Sequence, residues 1–132
     1  MMAGAARPVA HRLVLLAGLA APGVDALAES DAEALIRLQR ELTATIGEPV
    51  CGNVAFCRVM PMGADACGNP TTWVVYNNAL EIKARIETRV AEITFLEQEL
   101  LRNTPRPSTC ERARQPKPAC VNNHCVVGDT SY

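Results

Sequence analysis

The chain has 132 residues, 20% of them charged, with 13 basic and 14 acidic side chains and a formal net charge of −1 at neutral pH. That is one domain's worth of sequence. A near-neutral balance with both signs interspersed excludes nucleic acid or an anionic membrane as the main partner, because both need a concentrated basic surface.

Residues 1–28 have the three regions of an export signal. Arg7, His11 and Arg12 form a positive start, Leu13 to Ala21 an apolar stretch, and Ala26-Leu27-Ala28 the small-x-small pattern that a signal peptidase reads. The apolar run from Leu13 to Val24 is shorter than the ~20 residues of a membrane span, and Pro22 and Gly23 interrupt it, so cleavage after Ala28 is expected. The mature part is then 104 residues with 11 basic and 13 acidic side chains. It should form a single disulfide-rich domain over 29–127 with a frayed tail at 128–132, periplasmic or secreted and without a membrane span.

A helix over 31–46 follows. Ser30 and Glu33 make a capping box, Leu35, Leu38, Leu42 and Ile46 draw one apolar stripe, and Gly47 with Pro49 ends it. Helical periodicity then disappears. Phe56–Met62 reads as a strand that Pro61 confines to an edge, Gly63-Ala64-Asp65 and Gly68-Asn69-Pro70 as turns, and Trp73–Tyr76 as a second strand pairing with the first. A long helix is expected over 79–102, capped by Asn78. Its apolar face runs through Ile82, Ile86, Val90, Ile93, Leu96 and Leu100, and Glu81 and Arg85 are placed to pair. In the Pro- and Cys-rich remainder, Asn122-Asn123 is a two-residue hairpin turn, since Asn tolerates positive φ. The expected fold is α+β: two amphipathic helices, one long, packed on a small antiparallel sheet of the 56–62, 73–76 and 119–127 segments and stapled by disulfides.

The cysteines are Cys51, Cys57, Cys67, Cys110, Cys120 and Cys125. An even number behind an export signal implies three bridges, with 15 pairings formally possible. The long helix separates two triplets, and three is odd, so at least one bridge must join them. A turn at Asn122-Asn123 sets Cys120 opposite Cys125, near enough to bridge, although each can also reach Cys110 or the first triplet. Cys110, Cys120, His124 and Cys125 form a conceivable zinc set, but no C-x₂-C pair is present and an oxidising compartment removes free thiolates, so neither a metal nor another cofactor is expected. No catalytic constellation is recognisable either. His124 is the only histidine after the leader, and Glu87, Glu92, Glu97 and Glu99 read as a solvated helix face.

The most individual stretch runs from Cys67 to Asn78. Trp73 and Tyr76, three apart on a strand, face opposite sides, so one packs under the long helix and the other is more exposed. The run Cys57-Arg58…Gly63…Cys67-Gly68-Asn69-Pro70-x-x-Trp73-x-x-Tyr76, a long helix, then Cys110 and a closing Cys120-Val121-Asn122-Asn123-His124-Cys125, resembles small bacterial exported cysteine-rich proteins. Those carry a C-R-x₄-G-x₃-C-G-G-P-x-x-aromatic-x-x-aromatic-Ser signature. The resemblance covers about Val50 to Val127 and implies a bacterial periplasmic or secreted protein, but it brings no activity with it. Asn69 stands where the signature has its second glycine and is expected to keep a positive-φ turn, and Asn77 replaces the serine. These features point to a non-enzymatic binding or inhibitory module recognising a protein or envelope ligand through the 63–72 loop, with Asn69, Trp73 and Tyr76 as candidate contacts. The alternative is a structural or accessory envelope protein acting through its long helix, which surplus apolar residues such as Phe95 and Leu101 would serve if exposed together.

Overall fold

The structure, a computed structural model, describes residues 28–128 together with Gly4 and Gly18. Nearly all of the expected leader, and residues 129–132, therefore lie outside the described residues. The chain forms helix α1 (Asp31–Ile46), a 3₁₀ turn (Val54–Phe56), strands β1 (Cys57–Met62) and β2 (Thr72–Asn77), helix α2 (Leu80–Asn103), and strands β3 (Pro118–Val121) and β4 (His124–Val127). This is the expected disulfide-stapled α+β fold. Among the described residues no helix is long and apolar enough to cross a membrane.

Helix α1 starts where its cap predicts. The Glu33 amide donates to the Ser30 hydroxyl, and Glu33 accepts from the Ser30 amide. It stops at Gly47, whose φ of +58° is open to glycine at no steric cost. Helix α2 departs from expectation at its start. The Asn78 amide is already committed to the Phe56 carbonyl, continuing the β1–β2 ladder, so Ala79 takes the cap position without a side-chain bond. Its ion pairs are Lys83–Glu87, Arg89–Glu92 and Arg102–Glu99, not Glu81–Arg85.

The sheet divides into two antiparallel pairs, β1–β2 and β3–β4, instead of one sheet of three segments. The first pairs Cys57 with Asn77 through to Met62 with Thr72, so Pro61 lies opposite Trp73 on a strand whose other side has no strand partner among the described residues. Phe56, expected in β1, ends the 3₁₀ turn and is exposed. In the second pair Asn122 and Asn123 both have positive φ, at 52° and 61°, the geometry of the tight hairpin turn their sequence favours. Gly128 is ordered by its amide donating to the Lys117 carbonyl, so the hairpin reaches one residue into the segment expected to fray.

Two clusters lie on opposite faces of β2. On one, Val74 and Tyr76 pack with Leu38 and Leu42 of α1 and Ile86, Val90 and Ile93 of α2. On the other, Val75 packs on a cluster of Cys51, Cys57, Cys120 and Cys125. The bridges are Cys51–Cys120, Cys57–Cys125 and Cys67–Cys110, so all three join the triplets. Cys120 and Cys125 do sit opposite each other in the hairpin. Both turn to the face where Cys51 and Cys57 wait, so each bridges inward rather than to its neighbour. Segment 49–51 runs along β4, with the Cys51 amide donating to the Asn123 carbonyl and the Cys125 amide to the Pro49 carbonyl. With partners 69 and 68 positions apart in sequence, each of the two inner bridges alone contributes about 4 kcal/mol by loop closure.

Ile93 is fully buried between the helices and β2, whereas Phe95, two residues on, is 57% exposed. Ile93→Ala should therefore cost about 2–5 kcal/mol and Phe95→Ala within about 0.5 kcal/mol, read as urea midpoints at unchanged m-value.

Candidate functional site

The loop joining β1 to β2, residues 63–72, is fastened at three points, to α2 and to the segment that follows it. Its entry is Gly63, at φ +80°, whose amide donates to the Thr94 hydroxyl of α2 at 3.0 Å. A Cβ there would run into the Thr71 hydroxyl and the Glu97 carboxylate, so only glycine fits. Glu97 Oε2 accepts from the Ala64 amide at 2.9 Å and from the Thr71 hydroxyl at 3.0 Å. Glu97, expected on a solvated face, thus closes the two ends of the loop onto α2.

Within the loop, Asp65 is the hub. Its Oδ1 accepts the Cys67 and Asn69 amides at 2.9 and 2.8 Å, and its Oδ2 accepts the Ser108 hydroxyl at 2.8 Å and the Asn69 side-chain amide at 3.4 Å. The Asp65 amide donates in turn to the Asn69 carbonyl. The Ser108 hydroxyl, followed by the Asn69 and Cys67 amides, holds the Asp65 carboxyl below the usual carboxylate range, against partial desolvation. The left-handed residue of this turn is Gly68, at φ +81°, and not Asn69 as expected. With Gly68 absorbing the reversal, Asn69 keeps an ordinary φ and uses both its amides on Asp65. The third fastening is the Cys67–Cys110 bridge to the segment after α2. Ala66, Cys67 and Gly68 form the exposed tip.

Beneath the loop is a cleft of about 340 Å³. Leu35 of α1, Leu100 and Leu101 of α2 and Pro107 give it apolar walls, while Asp65, Glu97 and Arg106 bring charge to it.

The sequence-derived candidates fall in three different environments. Asn69 is half-buried inside the Asp65 turn. Trp73 is half-buried on the same face of β2 as Val75, away from the helices, and Tyr76 is buried under the helices, the division between faces expected for the pair. Burial, then the charge of Glu87, push the Tyr76 phenol up, and Arg58 opposes this. Tyr76 is therefore a core residue rather than a surface contact. The conceivable zinc set is dispersed: Cys110 is bridged to Cys67, and His124 turns to the Asn122 carbonyl at 2.8 Å and to Glu48 at 3.6 Å. The Cys51, Cys57 and Cys125 sulfurs lie within 4.8 Å of one another, but they belong to two neighbouring bridges and offer no thiolate.

Asp65, Glu97, Arg106 and Ser108 were not singled out by the sequence. Asp65 was accessible in principle, because an Asp two residues before a Cys-Gly pair is an Asx-turn signal. Glu97 was not, since its loop contacts lie 33 and 26 residues away. Compared with known proteins, the chain matches no family model, no curated protein and no solved structure.

Two measurements follow from this geometry. Glu97→Ala leaves the amide of buried Ala64 without an acceptor, and should cost about 1–3 kcal/mol while accelerating hydrogen exchange at Ala64. A carboxyl with a depressed folded-state pKa stabilises fully above its unfolded value, near 4, and that stabilisation is lost as pH falls through the lower folded value. The Cys67 and Asn69 amide resonances should hence stay constant from about pH 7 to 5 and shift below about pH 4, and Asp65→Asn should abolish that transition.

Proposed function

We propose that the chain is an exported bacterial protein of the periplasm or extracellular space, a non-enzymatic binding or inhibitory module that presents loop 63–72 to a protein or envelope ligand. The observation that carries this reading is the threefold fastening of the loop by Glu97, by Asp65 through Ser108, and by Cys67–Cys110. A loop held in one shape before contact loses little conformational freedom on binding, which is how a small scaffold gains affinity without a large interface. Three disulfides support export, because thiols of this kind stay reduced in the cytosol. The long-helix alternative has less behind it, since Phe95 and Leu101 lie on different surfaces. Phe95 borders the α1–α2 crossing beside Leu38 and Leu96, and Leu101 is half-buried in the cleft under the loop.

The test is capture of partners from a bacterial envelope extract by the tagged, oxidised protein. Ala66→Glu at the exposed tip should abolish capture at unchanged thermal stability, whereas Phe95→Ser should not affect it. Loss of partners with Phe95→Ser but not with Ala66→Glu would overturn the loop reading.

A further inference from the structure

The cleft beneath the loop is lined by two charged residues with bonding capacity that no other described residue uses. Asp65 is not one of them, because four donors already occupy its two oxygens. Glu97 differs. Its Oε2 takes the Ala64 amide and the Thr71 hydroxyl, while Oε1 is in no hydrogen bond with a described residue. Arg106 lines the same cleft, and its guanidinium has no ion pair or hydrogen bond among the described residues. Glu97 and Arg106 thus line one cleft without pairing with each other, and Leu35, Leu100 and Leu101 line it with them.

We propose that this cleft binds a small apolar zwitterion, with its ammonium on Glu97 Oε1, its carboxylate on Arg106 and its hydrocarbon against the leucines. Charge-assisted hydrogen bonds at both ends supply orientation, and the apolar wall supplies affinity. Size restricts the ligand further. A space of about 340 Å³ sits at the low end of ligand cavities. That suits a body the size of a single amino acid. The proposal rests on reading the loop region as a binding site and adds the ligand class of the cleft below it.

The oxidised protein would be titrated by calorimetry and by amide chemical shifts with two zwitterions of equal atom count. L-Leucine carries both charges on one carbon, and 6-aminohexanoate carries them at opposite ends of a chain. N-acetyl-leucine and leucine amide, each lacking one charge, are the controls. At least one zwitterion should saturate with shifts at Ala64 and Arg106, and the tighter of the two reports the spacing between the charged groups. Each control should bind at least tenfold more weakly than leucine if leucine is preferred, and Arg106→Gln should weaken the preferred zwitterion at least tenfold at unchanged thermal stability. The proposal falls if neither zwitterion gives saturable shifts up to about 10 mM, weaker than the millimolar range of ordinary small-ligand affinity. It also falls if Arg106→Gln or removal of one charge leaves binding unchanged. Partner capture that Ala66→Glu abolishes, with no response to either zwitterion, removes the cleft ligand and leaves the loop reading standing. A zwitterion response without partner capture does the reverse.

Discussion

Every crosslink in this molecule passes across α2. Cys51, Cys57 and Cys67 precede the helix and Cys120, Cys125 and Cys110 follow it, so the entire segment after Asn103 is covalently returned to the part of the chain that comes before Leu80. That segment has little else to hold it. Its regular structure is one two-stranded hairpin, which is marginal by itself in water, and from Thr104 to Gln115 it forms no helix or strand. A bridge contribution of about 4 kcal/mol is comparable with the whole net stability of a small domain, about 5–15 kcal/mol. The position of the hairpin, and with it the Cys67–Cys110 anchor of the loop, therefore depends on oxidation more than on burial.

Strand β2 is the wall that the two halves of the interior share. Val74 and Tyr76 face the helices and Val75 faces the cystines, so alternation along one short strand couples a hydrophobic cluster to a covalent one. The helices themselves meet through apolar stripes. They also meet through Arg89 and Glu41 at 2.9 Å, with Arg37 bonded to the same glutamate at 3.0 Å. These side chains are a third to a half exposed, and partly exposed pairs set orientation more than they add stability. Loop 63–72 grows directly out of β1 and into β2, so both clusters fix its roots before any of its own bonds are counted.

The two acidic residues that fasten the loop divide the work. Asp65 spends all its acceptor capacity on its own turn and on Ser108, which makes it a purely architectural carboxylate. Glu97 spends one oxygen on the loop and lines the cleft that Arg106 also lines. Fastening and recognition can thus be built from the same residues, with α2 as the rigid base for both.

Local chemistry in the sequence determined the elements. The Ser30–Glu33 box, the leucine stripe of α1, the β-branched and aromatic run of β2 and the Asn122-Asn123 turn each depend on residues within a few positions of one another, and each appears where that chemistry puts it. The even cysteine count likewise pointed to the bridged character of the fold, and the parity of the triplets required one bridge across α2. Tertiary structure alone decided the rest. It split the strands into two sheets, moved the α2 cap from Asn78 to Ala79, sent Cys120 and Cys125 inward instead of to each other, buried Tyr76, and turned Glu97 from a solvated face onto the loop. The physical reason is range. Propensity and capping act over one turn of chain, whereas a cystine partner or a carboxylate's donor tens of residues away is selected only once the packed elements have brought them together.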